Sequence, residues 1–175
     1  MVARMIRAIV ILPVMVMVVV PVLILWASSG TPYAGVLLTP GHVQFWPGIL
    51  SLGVGLFFAA WSAALFVRVG MGTPAPWDPP RRLVVVGPYR HVRNPMISGV
   101  LFMLAGEALL AQSWPLAAWM ALFFAANAVY FSQVEEKGLL IRFGDDYRAY
   151  KAAVPRWIPR LSPWRPPSNS QSQGR

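Results

Sequence analysis

The amino-acid sequence predicts an all-α membrane protein, a polytopic bundle of about four transmembrane helices. Of its 175 residues, 57% are hydrophobic and only 12% are charged, whereas a soluble domain carries roughly 25% charged residues. Four apolar runs come close to the roughly 20 residues that a helix needs to cross a bilayer. All fifteen lysines and arginines lie outside these runs. We expect one integral-membrane domain over residues 1–165 and a disordered polar tail over residues 166–175.

The first apolar run, residues 8–26, follows Arg4 and Arg7 and contains Pro13 and Pro21. Proline is tolerated in a membrane helix where the freed carbonyl groups find other partners. A cleaved signal peptide is the alternative interpretation. Its apolar core runs roughly 7 to 15 residues, and the run at residues 8–26 is longer. We therefore predict that this segment is an uncleaved membrane helix.

Three more apolar runs follow, at residues 47–67, 96–112 and 115–133. Only Ser113 and Trp114 separate the last two, which predicts a tight antiparallel hairpin. With four spans, every basic segment falls on one side of the membrane, and the segments on the other side contain no lysine or arginine. Basic residues mark the cytosolic side. The sequence thus predicts that both termini are cytosolic.

Composition also excludes several classes of function. The chain has no cysteine, so it contains no disulfide, thiol nucleophile or thiolate metal site. Two histidines are too few for a histidine-rich metal centre, and we expect no metal. The net charge of +9 is explained better by cytosolic loops and anionic lipid surfaces than by nucleic acid.

The first polar island, residues 87–96, reads GPYRHVRNPM, and Gly99 follows it. Asn94 precedes proline and is therefore disfavoured in a helix, so Pro95 should start the third span. The N–H groups after Pro95 would face the cytosol and can receive a carboxylate. Arg93 is placed to assist. The alternative is that Arg90 and Arg93 only bind lipid phosphates.

The second polar island begins with Glu135 and Glu136, directly after the fourth apolar run. Adjacent residues on a helix point about 100° apart, so these two carboxylates cannot share one role. One can face inward and accept hydrogen bonds from a ligand, while the other faces solvent or pairs with an arginine. Acidic residues are unfavourable at a helix C-terminus. The helix is therefore predicted to continue to about Arg142.

Gly144 should end that helix, and Asp145 can cap a short new one. In the new helix Tyr147 and Tyr150 are neighbours, because residues three apart share a helix face. These aromatic side chains either wall a binding pocket or form a lid anchored in the lipid headgroups. Both roles remain open at this point.

The two islands, in this order, resemble the cytosolic signature of the isoprenylcysteine carboxyl methyltransferase family and its phospholipid methyltransferase relatives. The resemblance covers roughly residues 45 to 160. In the second island it rests on Glu135-Glu136, Phe143-Gly144, the two tyrosines and the run VPRWIP at residues 154–159. It implies a membrane-embedded enzyme that transfers a methyl group from S-adenosylmethionine to a lipophilic acceptor.

The resemblance also implies roles for particular residues. In a carboxyl methyltransferase, Arg156 or Arg90 would orient the carboxylate acceptor. With an amine acceptor, Glu135 or Glu136 would assist proton removal. The predicted catalytic residues are Glu135 and Arg156, and the predicted cofactor-binding residues are Tyr89, His91, Arg93, Asn94, Pro95, Gly99, Glu135, Glu136 and Tyr147.

Two departures leave the acceptor open. The isoprenylcysteine enzymes usually have histidine where this chain has Asn94, and tyrosine where it has Ile97. The Asn-Pro-Met triplet is closer to the phospholipid branch. The alternatives are a phospholipid N-methyltransferase, a membrane reductase of the sterol-reductase group and a non-enzymatic small membrane protein. Neither the oligomeric state nor the acceptor can be predicted.

Two polar residues lie inside the predicted spans. Glu107 is an ionisable residue at membrane depth and therefore a candidate for contact with the substrate, although it lies near enough to the outer turn to reach water instead. Asn127 is interpreted as a residue that bonds between helices.

Overall fold

The computed structural model describes residues 13–71 and 80–165. The start of the first predicted span, the middle of the long loop and the predicted disordered tail lie outside these residues. Within them the chain is helical and contains no strand. The predicted fold class, an all-α helical bundle, is confirmed.

Four helices make up the bundle: α1 (Met15–Ser28), α2 (Phe45–Gly70), α3 (Pro95–Leu110) and α4 (Trp114–Ala153). In the described part of the chain, α2 and α4 are long and apolar enough to cross a membrane, whereas α1 and α3 are shorter apolar helices. The 16 residues of α3 extend about 24 Å at 1.5 Å per residue. That is less than a hydrocarbon core of roughly 30 Å, so the four-span topology stays a prediction.

The helix boundaries follow local sequence signals. Asn94 lies outside α3 with φ −122° and ψ 56°, and Pro95 occupies the first turn, as predicted. The hairpin between α3 and α4 is also as tight as predicted. Gln112 adopts a left-handed conformation there, with φ 44°. The Ser113 hydroxyl then accepts a hydrogen bond from the Leu116 N–H at 3.4 Å, which caps α4.

Helices α2 and α3 pack closely because glycines line their contact. A Cβ atom added at Gly99 would lie 2.7 Å from the carbonyl oxygen of Gly55, and one added at Gly106 would lie 2.8 Å from that of Gly48. Small residues let membrane helices approach in this way. We call these four residues the glycine face. At these positions the backbones of α2 and α3 are in direct contact.

Helix α4 changes direction at Gly144, whose φ of 53° and ψ of −124° are not helical. The predicted break therefore occurs, and a further helical stretch follows it. Asn127 corrects one sequence-based interpretation. Its amide donates to the carbonyl of Phe123 in the same helix, at 2.8 Å. A carbonyl one turn earlier in the same helix is closer to an asparagine side chain than a group on another helix is.

After α4 the chain runs back beneath the first polar island. We call residues 154–164 the return segment. Its backbone bonds the loop that precedes α3: the Arg93 N–H donates to the carbonyl of Pro155 at 2.9 Å, and the Arg160 N–H donates to that of His91 at 3.0 Å. The two islands, some forty residues apart in sequence, therefore form one unit in space.

Candidate active site

A pocket opens where the two polar islands meet, between the end of α2 and the part of α4 beyond its apolar run. The cavity has a volume of about 50 Å³. The walls are mainly aromatic and aliphatic, with a few polar groups. The lining residues are Phe66, Pro80, Leu83, Val84, Tyr89, Arg93, Asn94, Phe131, Glu135, Glu136, Leu139, Tyr147 and Tyr150.

Glu136 is the centre of an ion network in the pocket wall. Only 6% of its side chain is exposed, and its Oε1 lies 2.7 Å from Arg93 Nη1 and 2.6 Å from Arg156 Nη2. Its Oε2 lies 2.7 Å from Lys151 Nζ. Burial alone would raise the pKa of Glu136, but these cations outweigh it and hold the pKa below its usual value. Glu136 is therefore ionised at neutral pH, and its two oxygens are already engaged.

Arg93 connects this network to both islands. Its Nε donates to the carbonyl of Val154 at 2.9 Å, and its Nη1 lies 3.4 Å from the hydroxyl of Tyr147. The side chain is 11% exposed, so the guanidinium group is held in place rather than free in solvent. Arg93 therefore presents a fixed positive charge at the pocket wall.

Glu135 also lines the pocket, but its environment is quite different. It lies just beyond the apolar run at residues 115–133 and makes no salt bridge within the described residues. Burial, and then the negative charge of Glu136, raises the pKa of Glu135 to about 7. A carboxyl with a pKa near the working pH is suited to accept and release protons. The two neighbouring carboxylates thus lie in different environments, and their different roles stay a prediction.

The aromatic wall comes from the helical stretch after Gly144. Tyr147 and Tyr150 are buried, their ring centroids lie 6.2 Å apart, and both pack against Val154. The Tyr150 hydroxyl donates to the carbonyl of Tyr89 at 2.7 Å. Burial raises the pKa of Tyr89 and Tyr150, so both hydroxyls are neutral. These contacts hold both tyrosine rings in place in the pocket wall.

Six of the residues predicted to bind the cofactor line this one pocket: Tyr89, Arg93, Asn94, Glu135, Glu136 and Tyr147. The others lie elsewhere. Pro95 is buried in the first turn of α3. The His91 ring nitrogen Nδ1 lies 2.8 Å from the carbonyl of Arg160, and Gly99 belongs to the glycine face. Their predicted roles, like those of the lining residues, stay predictions.

The structure shows the partner of Arg156 and three further residues of the site that were not predicted from the sequence. Arg156, predicted to be catalytic, pairs with Glu136 and is one of three cations there. Lys151 was not predicted to join it, because its contact with Glu136 crosses the break at Gly144. Phe66 and Phe131 line the pocket from two different helices. Their sequence context is that of ordinary apolar membrane residues, so nothing in it marked them.

Comparison with known proteins agrees with this arrangement. A family model described as phospholipid methyltransferase matches residues 43–146, which is more than half of the chain. The matched region covers α2, α3 and α4 as far as the break, and it contains Arg93, Glu135 and Glu136. No curated protein and no solved structure matches the chain significantly.

Proposed function

The chain belongs to the phospholipid methyltransferase family, part of the superfamily of membrane methyltransferases related to the isoprenylcysteine enzymes, and we propose that it uses S-adenosylmethionine to methylate the amine of a lipophilic acceptor. Membership in this family supports a methyltransferase with lipid substrates. The cofactor and the acceptor are the parts that we propose. The observation that carries the proposal is Glu135, a carboxyl that lines the pocket and makes no salt bridge within the described residues; burial raises its pKa.

The chemistry of the pocket fits the proposed cofactor. Tyr89, Phe131 and Tyr147 provide aromatic surface for an adenine ring and for a sulfonium cation. Glu135 can accept hydrogen bonds from ribose hydroxyls or from the ammonium group. The first N–H groups of α3, next to Asn94 in the pocket wall, can receive the carboxylate. Arg93 also lines the pocket, where its ion pair with Glu136 holds it in place.

When bound, S-adenosylmethionine would supply a methyl group whose bond to the positively charged sulfur breaks as the bond to the acceptor forms. The protein then has three tasks: alignment, exclusion of water and removal of a proton. The buried tyrosines and the apolar lining serve the first two. Glu135 serves the third, because it takes the proton that an ammonium acceptor must lose before its lone pair is free.

The ion network favours an amine acceptor over a carboxylate acceptor. An anionic acceptor needs a cation to orient it. Arg156, the residue predicted for that task, already pairs with Glu136 at 2.6 Å. The Nε of Arg90 donates to the carbonyl of Trp164 at 2.7 Å. An amine acceptor, in contrast, needs a carboxyl to accept its proton, and Glu135 lines the pocket outside the ion network.

Calorimetric titration with S-adenosylhomocysteine tests the cofactor site. Glu135→Gln keeps the shape of the side chain and removes its charge, so binding should weaken roughly ten- to a hundred-fold if a charge-assisted hydrogen bond is lost. Asp145→Asn is the matched control, since Asp145 lies outside the pocket lining and is 91% exposed. If the purified wild-type protein binds no S-adenosylhomocysteine, the cofactor proposal is wrong. Binding of a nicotinamide cofactor instead would favour a reductase.

The dependence of the rate on pH tests the acceptor. Methylation of an aminophospholipid should speed up between about pH 6 and pH 8, because both Glu135 and the acceptor lose protons there. A lipophilic carboxylic acid is already ionised well below that range, so its methylation should be nearly independent of pH. Efficient methylation of prenylated cysteine, without methylation of any amine, would overturn the proposed acceptor.

A further inference from the structure

The return segment carries bulky apolar side chains that the protein leaves uncovered. Ile158 is 80% exposed and Leu161 is 100% exposed. On its opposite edge the same segment is hydrogen-bonded to the loop before α3. The segment is therefore held in place while one side of it remains apolar and open.

The contacts of Trp157 show which level of helix α4 this apolar side lies beside. Its ring centroid is 5.1 Å from that of Phe124 and 6.1 Å from that of Phe131. Both phenylalanines belong to the apolar run at residues 115–133 of α4. Phe124 lies nine residues before the end of that run, or about 13 Å along the helix axis. Trp157 thus reaches a level where acyl chains, not water, surround the helix.

The return segment itself carries only basic charges, those of Arg156 and Arg160. No acidic residue follows Asp146 in the sequence, whereas six basic residues do. Three of them, Arg148, Lys151 and Arg165, are exposed at the surface. Such a cluster beside a membrane helix complements the anionic headgroups of a bilayer leaflet.

We propose that the return segment is an in-plane membrane anchor. Trp157, Ile158 and Leu161 insert at the boundary between headgroups and acyl chains, in the leaflet on the pocket side, and the neighbouring basic residues lie among the phosphates. Its partner is the lipid surface itself. The anchor does not depend on the proposed methyltransferase activity. Because Arg93 bonds the backbone of Val154 and Pro155, the anchor also fixes one wall of the pocket relative to the membrane.

Spin labels can measure the depth of the segment directly. The chain has no cysteine, so Ile158→Cys and Leu161→Cys each provide a single attachment point at an exposed position. Asp145→Cys serves as the matched control, because its side chain is 91% exposed beyond the break in α4. The labelled proteins are reconstituted into vesicles of phosphatidylcholine and phosphatidylglycerol. Collision rates with oxygen, which enters the bilayer, and with a water-soluble nickel chelate are then compared.

Labels at 158 and 161 should collide more with oxygen than with the chelate, at a depth of about 5–10 Å. The control label should show the reverse. Preference for the chelate at both test positions would place the segment in water and overturn the proposal. Protection from both reagents would mean that protein, such as a second copy of the chain, covers the segment, and would overturn it as well. Unchanged thermal midpoints of the labelled proteins establish that each is folded.

Discussion

Replacing either of two adjacent glutamates with glutamine should change stability in opposite directions. Glu135→Gln and Glu136→Gln each remove one carboxylate without changing side-chain volume. Glu136 is surrounded by cations, whereas Glu135 is a partly buried carboxyl whose pKa is raised to about 7. At pH 8 we expect the first variant to be more stable than wild type and the second to be less stable.

The loss at Glu136 follows from the exposure of its partners. Arg93 is only 11% exposed, so water cannot replace its lost counter-charge, and breaking a buried pair in this way costs about 3–5 kcal/mol. Lys151 is 49% exposed, and solvent screening leaves its contribution small. The glutamine still accepts one hydrogen bond. We therefore expect a loss of about 2–3 kcal/mol, or roughly 4–12 °C in Tm for a chain of this size.

The gain at Glu135 depends on pH. Its folded-state pKa is raised from 4.5 to about 7, so the folded protein binds this proton more tightly than the unfolded chain does. The resulting stabilisation is complete below the unfolded pKa and is lost as pH rises through about 7. At pH 8 the ionised carboxylate destabilises the fold, and glutamine should restore on the order of 1–3 kcal/mol. Near pH 5 the two proteins should differ little.

The sign at Glu136 is the reverse. Its folded-state pKa is lowered, so its contribution is present above the unfolded value and is lost only in acid, as pH falls through the folded pKa. Thermal unfolding in detergent, followed by tryptophan fluorescence near pH 5 and pH 8, measures both effects. If Glu135→Gln lowers Tm at pH 8 as much as Glu136→Gln does, the assignment of distinct roles is refuted.

Three further predictions concern packing, the aromatic wall and topology. Gly99→Ala places a methyl group against the backbone of α2 and should lower the free energy of unfolding by about 1–3 kcal/mol. Gly138→Ala adds a methyl group with nothing within 4 Å and should raise the free energy of unfolding by about 0.5–1 kcal/mol. Chemical denaturation measures both. Tyr150→Phe removes the buried hydrogen bond to Tyr89 and should lower the free energy of unfolding by about 1–3 kcal/mol in the same assay. Asp145→Cys, at a side chain that is 91% exposed, should react with an impermeant maleimide only from the cytosolic side of sealed vesicles, and labelling from the other side alone would contradict the predicted topology.

Much of the local structure could be predicted because its signals lie close together in the sequence. The Asn94-Pro95 pair placed the start of α3, Gly144 placed the break in α4, and the short connection at Ser113 required a hairpin. Each depends on the backbone preference of one or two residues. The helical angle between Glu135 and Glu136 likewise predicted two roles for the two carboxylates.

The assignment of those roles needed the structure. Which glutamate joins the ion network depends on Arg93, 43 residues earlier, and on Arg156, 20 residues later. No local pattern in one sequence encodes contacts of that range. Gly99 illustrates the same limit: a glycine near a polar motif suits close approach to a ligand, but equally suits close approach to another helix, and the packing of α2 against α3 decides between them.

The long reach of the return segment has a consequence for how the protein is made. Arg93 bonds a residue 61 positions later, and Arg90 bonds one 74 positions later. During synthesis the N-terminal parts of a chain emerge first, so the first three helices leave the ribosome before any residue that completes the pocket. Arg93 is made 61 residues before its partner Val154, and Glu136 is made 20 residues before its partner Arg156. The contacts between the first polar island and the return segment therefore form only after residues 154–164 have been made.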